Sequence, residues 1–260
     1  MKEKQAKPYQ RILAAFMLLT RLPLWRLVSV PDAAFKRATG YWSLVGWLTG
    51  GLMVLICHLG LLIDLPVTMV VSLALLSRVL FTGAFHEDGL GDFFDGFGAG
   101  RTKERILAIM KDSHTGTYGI LSFIFYFMIG IYSLSSLPPI LTLVALGVGD
   151  PLCKLVASQL INTLPYARSE DESKVQAIYS PMGVLAFWVS FSAGALPLAL
   201  FLPLPYWPAV LIPILAFLLL RGLMKRKIGG YTGDCCGATF LLCELSFWVG
   251  MLIMNRIIEL

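Results

Sequence analysis

The chain has 260 residues, of which 57% are hydrophobic and only 14% charged, with a formal net charge of +5. That is too apolar for a water-soluble domain of this length. The basic residues are distributed as a membrane topology would place them, so the charge excludes nucleic acid as the expected partner and makes a lipid bilayer the expected surroundings.

Residues 12–20 are apolar but flanked closely by Arg11 and Arg21. They are too short to span, and an interfacial or re-entrant helix is expected there. Seven stretches then reach spanning length or nearly so: 41–62, 67–85, 117–137, 140–161, 182–202, 208–222 and 238–255. Backbone polar groups in hydrocarbon must be paired internally, so these runs should be helices. The sixth is the shortest and carries Pro213. In the first, Gly46 and Gly50 predict close helix packing. No linker or composition break divides the chain, so a single integral-membrane domain over 1–260 is expected. The fold class is all-α: a polytopic bundle of about seven transmembrane helices.

Eight of the 21 basic residues precede residue 41, and most of the others fall in the loops 86–116, 162–181 and 221–237. The opposite turns at 63–66, 138–139 and 203–207 have none. Positive-inside bias therefore places the N-terminus and the three basic loops in the cytoplasm. The five cysteines show no metal-ligand spacing and read as small apolar residues kept reduced.

Chemistry-bearing residues concentrate in those loops. In the segment from His86 to Gly100, Asp88, Asp92 and Asp95 stand at i, i+4 and i+7. On a helix their side chains fall within roughly 60° of one another. Three co-facial carboxylates repel unless a cation sits among them, and hard oxygen ligands suit Mg²⁺ or Mn²⁺. Glu87 points off that face, and His86 reads as a satisfied or surface histidine. Residues 101–111 form a short amphipathic pattern that carries Arg105 and Lys111.

The run from Lys111 through Asp112, Ser113, Thr117 and Gly119 leads into the third span. Phosphate binding at that helix N-terminus is the expectation, with capping by Thr115 or Thr117 as the plain alternative. A third segment, Lys225 to Asp234, adds Lys227, Thr232 and Asp234 in a glycine-rich setting at a membrane edge, as candidate substrate or metal contacts. Within spans, Arg78 could snorkel to the phosphates. Asp150 and Lys154 form an i, i+4 pair, and Arg168 ends the fourth span.

With these loops in view, the chain resembles the cobalamin (5′-phosphate) synthase family, the adenosylcobinamide-GDP ribazoletransferases. The matching residues are Leu19-Thr20-Arg21-Leu22-Pro23, Phe85 to Asp92 running on to Asp95-Gly96, and Met110-Lys111-Asp112-Ser113 with Gly116-Thr117-Tyr118-Gly119. Leu164 to Arg168 and Gly229 to Ala238 complete the pattern, which extends over about residues 10–250. The family often has leucine where Glu87 stands and arginine where His114 stands.

The resemblance implies that α-ribazole or its 5′-phosphate joins adenosylcobinamide-GDP, releasing GMP with Mg²⁺ present, at a bacterial-type inner membrane. On that model Asp88, Asp92 and Asp95 hold the metal. Lys111 and Arg105, with Arg78, offset phosphate charge, and Asp95 or Asp112 accepts the nucleophile's proton. Arg21, Arg168, Ser113, Thr117, Lys227, Thr232 and Asp234 are the expected substrate contacts. Association with a second copy or with other cobalamin-assembly enzymes is left open.

Asp92-x₂-Asp95-Gly96-x₂-Ala99-x-Arg101 also reproduces the start of a CDP-alcohol phosphotransferase signature, without its later aspartates. A lipid head-group transferase is the enzyme alternative. A transporter built on Asp150 and Lys154, or a scaffold, is the alternative outside enzymes.

Overall fold

A computed structural model describes residues 6–168 and 181–260. Most of the basic loop 162–181 therefore lies outside the described residues. The chain folds as α1 Pro8–Leu19, α2 Asp32–Phe35, α3 Trp42–Leu62, α4 Val67–Thr82, α5 Phe85–Ala99 and α6 Lys103–Ile109, followed by α7 Thr117–Ser135, α8 Pro139–Thr163, α9 Val184–Phe201, α10 Leu211–Ile228 and α11 Gly233–Ile258. Among the described residues there is no strand, only an isolated parallel bridge between Tyr166 and Tyr231.

Six helices are long and apolar enough to cross a membrane, and the α4–α5 pair makes a seventh, broken candidate. The chain is thus a polytopic helical bundle. α1 is a twelve-residue helix with Ala14, Ala15 and Leu19 buried, too short to cross. α8 and α11 are the central helices, buried along most of their length, whereas α9 and α10 present rows of exposed leucine and aromatic side chains, as lipid-facing helices do. Gly46 allows the α3 backbone to lie on Pro151 of α8, where an added Cβ would stand 2.5 Å from Pro151 Cα. Some polar side chains inside the bundle pair across helices: Ser43 and Ser190 oxygens are 3.0 Å apart between α3 and α9.

Two expectations shift. The sixth span is longer than 208–222: a 3₁₀ segment Leu204–Val210, with Pro205 at its start and Pro208 inside it, runs into α10, giving 25 residues, and Pro213 falls in the first turn of α10, where a missing N–H costs little. The second span ends at Thr82 rather than Phe85. Gly83 (φ 73) and Ala84 (φ 59) both adopt the left-handed conformation, and the chain turns through 92° into α5.

By that 92° turn α5 leaves the line of the α4 span and lies across the end of the bundle where α4, α8 and α10 finish and α7 and α11 begin. Its glycines set that position. A Cβ at Gly89 would stand 2.9 Å from the carbonyl oxygen of Asp234, so the helix rests directly on the first turn of α11.

Candidate functional site at one end of the bundle

Four carboxylates meet where α5 crosses the start of α11. Asp88 is exposed, Asp92 and Asp234 are partly buried, and Asp95 is buried. The Asp92 carboxyl is pushed up to about 7, first by burial and then by the charges of Asp234, Asp88 and Asp95, with Arg168 opposing. The sequence placed three of these on one helical face. The fold adds the fourth from a residue 142 positions beyond Asp92.

Arg168 arrives by backbone pairing. Ala167 N–H donates to Tyr231 O (2.8 Å) and Tyr231 N–H donates to Pro165 O (3.0 Å). A side chain at Gly230 would collide with the Pro165 carbonyl. This bridge carries the 164–168 and 229–234 segments together and leaves Arg168 Nη2 3.7 Å from Asp234 Oδ2. Thr232 is almost wholly buried; its hydroxyl accepts from Cys235 N–H (3.3 Å) as the N-cap of α11 and lies 3.3 Å from Asp234 Oδ2. Its visible role is to fix Asp234.

At the start of α7, where the sequence suggested a phosphate, a carboxylate of the protein takes two of the amides: Asp95 accepts from Gly116 N–H (2.7 Å) and Gly119 N–H (3.0 Å). A Cβ at Gly119 would stand 2.6 Å from Asp95 Oδ2, so the glycine makes room for the carboxylate. The Ser113 and Thr117 hydroxyls are exposed beside this cap. Asp112, also exposed, accepts from His114 N–H (3.1 Å) and pairs with His114 Nδ1 (2.7 Å). Those two hydrogen bonds hold its carboxyl below the usual range, which weakens it as a proton acceptor.

Beside the carboxylates lies a cleft of about 420 Å³ between α6 and the 164–168 segment. Lys103, Lys111 and Arg168 supply its positive charge, Glu104 a single carboxylate, and Leu107 and Ala108 an apolar floor. Lys103 and Leu107 on α6 and Lys111 just beyond it recur every four residues, a periodicity legible in the sequence although Lys103 and Glu104 were not singled out there. Arg105 turns the other way, where its charge bears on Asp112. Lys227 is exposed in the last turn of α10. Arg21 donates its backbone N–H to Phe81 O (2.8 Å) and packs against Gly83 at the α4–α5 corner.

Arg78 is not at the phosphate end. It is wholly buried, ion-paired with Glu244 and donating to Tyr126 Oη (2.8 Å), with Glu87 at 3.6 Å and Asp150 at 3.7 Å. One guanidinium thereby ties α4 to α5, α7, α8 and α11. The hydrophobic surroundings explain why it stays inside: a snorkelling route would break pairs with three carboxylates that have no water to turn to. Lys154 pairs with Asp150 and donates to Thr49 Oγ1 (3.0 Å) in the same interior. His86 is neither exposed nor hydrogen-bonded: it stacks on Trp42 at 5.6 Å and meets Phe240 edge-on at 4.9 Å, with both ring nitrogens unpartnered. The cysteines are all free and buried.

Among the described residues, no group of three His, Cys, Asp or Glu side chains is assembled to hold a metal ion. The donor chemistry at the α5–α11 crossing nevertheless fits a hard divalent cation. It is all oxygen, and although burial is the main cause of the rise at Asp92, the repulsion from Asp234, Asp88 and Asp95 that adds to it is relieved by positive charge. Asp88, Asp92 and Asp234 carry carboxylates not bonded to α7.

Helical membrane proteins that collect carboxylates and cations at one bundle end are suited to handling phosphorylated substrates beside the bilayer. A family model described as cobalamin-5-phosphate synthase matches residues 11–252. A protein of Shewanella sp. (strain W3-18-1) named adenosylcobinamide-GDP ribazoletransferase is 34% identical over 260 residues, covering 99% of both chains. Proteins of the same name from Shewanella oneidensis (33%, 99% of both chains) and Shewanella woodyi (35%, 92% of this chain and 93% of the other) are similarly related. No solved structure matches. The chain belongs to the cobalamin-5-phosphate synthase family.

Proposed function

We propose that this protein transfers α-ribazole, or its 5′-phosphate, onto adenosylcobinamide-GDP with release of GMP, using Mg²⁺ at the cytoplasmic face of a bacterial inner membrane. The observation that carries the reading is the juxtaposition of four carboxylates with a basic cleft, in a chain aligned nearly end to end with relatives bearing that activity in their names.

A ribose hydroxyl attacks the phosphorus attached to cobinamide. The new P–O bond forms as the P–O bond of the pyrophosphate breaks, GMP leaves with the bridging oxygen, and the hydroxyl proton is released to water or to the departing GMP phosphate. Asp88, Asp92 and Asp234, with Asp95 behind them, would hold Mg²⁺ once their side chains close on it, and the ion would supply charge neutralisation for the pyrophosphate. Asp95 keeps α7 docked on α5 and so fixes the helix that presents Asp88 and Asp92. Arg168 and Lys111 draw the phosphate oxygens to the carboxylate end of the cleft and offset the charge gathering on GMP. Glycine-mediated contacts between α5 and α11 keep these groups on rigid helices, where positioning provides much of the rate.

Membranes carrying the protein, given both substrates, should form GMP only with Mg²⁺ present, and release no CMP from a CDP-alcohol donor. Asp88→Ala, Asp92→Ala and Asp234→Ala should each abolish most of that activity at normal protein level. Retained activity in all three variants overturns the reading.

A further inference from the structure

The proposed transfer needs a place for the nucleotide as well as for the pyrophosphate. Resting on the reading above, we propose that the cleft between α6 and the 164–168 segment takes the guanosine half of the donor, and that Glu104 reads the guanine edge.

The argument begins with which end of the cleft is which. α6 packs against α5 in reverse: Gly96 of α5 faces Met110, whereas Gly100 faces Ile106. Lys111, next to Met110, therefore lies toward the carboxylates, as does Arg168 through Asp234. Glu104 lies in the first turn of α6 and Lys111 just past its C-cap, seven residues on and, at close to helical rise, roughly 10 Å away. That separation matches the reach from a 5′-phosphate to the far edge of a purine. The cleft, about 420 Å³, has room for a mononucleotide.

Its chemistry is graded in the same direction. Lys111 and Arg168 suit phosphate oxygens. Leu107 and Ala108 offer an apolar floor against which a flat base can lie. Glu104 is exposed, and among the described residues it makes no ion pair within 4 Å despite three cations lining the same cleft. A carboxylate would repel the phosphates, so its place at the distal end calls for a hydrogen-bond donor there. Guanine presents N1–H and the 2-amino group side by side, a pair that one carboxylate accepts together; adenine has no such edge, and hypoxanthine keeps only N1–H. Lys103, whose Nζ lies near Gly229, adds charge without base selectivity.

The test compares adenosylcobinamide-GDP with the inosine-diphosphate donor, and GMP with IMP in equilibrium binding to purified full-length protein. The wild type should prefer the guanine donor in kcat/KM, and GMP over IMP in affinity, by about tenfold or more, the range of one charge-assisted hydrogen bond. Glu104→Gln should bring both ratios to within about twofold of one, while Lys103→Ala should weaken GMP and IMP alike. Glu104 is exposed, so the variant should keep normal membrane levels. Ratios unchanged by Glu104→Gln overturn the proposal. Absence of GMP release from any donor by the wild type overturns the transferase reading instead, and the GMP-to-IMP binding ratio then still decides the subsite.

Discussion

Replacing Asp92 by asparagine should stabilise the metal-free protein while removing its response to divalent cations. In the folded protein the Asp92 carboxyl is raised from 3.8 to about 7, by burial and by Asp234, Asp88 and Asp95. Between about pH 4 and pH 7 the folded state then holds more protons than the unfolded one. Stability therefore falls as pH rises through that window, and the whole penalty is present above pH 7. A rise of that size corresponds to roughly 4 kcal/mol for a fully buried group. Solvent screening at a half-buried site reduces it to about 1–2 kcal/mol.

Asp92→Asn removes that repulsion, so its unfolding midpoint in detergent micelles at pH 8 should exceed the wild type's by about 3–6 °C. The gap should narrow at pH 5, where the wild-type carboxyl is largely protonated. Millimolar Mg²⁺ should raise the wild-type midpoint at pH 8 and leave the variant's almost unchanged. A variant less stable than wild type at pH 8, or one that gains as much from Mg²⁺, refutes the account of these carboxylates as a mutually repelling cation site.

Three further outcomes follow from the geometry. Gly119→Ala, whose Cβ would stand 2.6 Å from Asp95 Oδ2, should force that carboxylate off α7, lowering stability by about 1–3 kcal/mol and reducing GMP formation, measured by melting and product assay. Arg78→Met leaves buried acids unpaired and should cost about 3–5 kcal/mol, seen as low protein in membranes, with Arg78→Met/Glu244→Met recovering part of the loss. Arg168→Ala should raise KM for the nucleotide donor about tenfold or more in steady-state assays, by the loss of one charge-assisted contact, with little change in protein level.

Much of the fold was legible because hydrocarbon leaves the backbone few options. Length and apolarity alone specify helices, basic loops specify which ends lie together, and the spacing of Asp88, Asp92 and Asp95 specifies a shared face. Gly46 foretold a close helix contact for the same reason, since a missing side chain has one obvious use in a packed bundle, but not that α8 would make it. What the linear chain could not carry was the partnership between distant segments. Asp95 bonds to amides 21 and 24 residues onward, and Arg78 to a glutamate 166 residues away. Asp234 reaches the carboxylates because a backbone bridge and a stripe of glycines bring α11 under α5. Pattern along one helix is local and follows from its 3.6-residue turn, whereas the partner of each charge depends on which helix ends the packed bundle brings into contact.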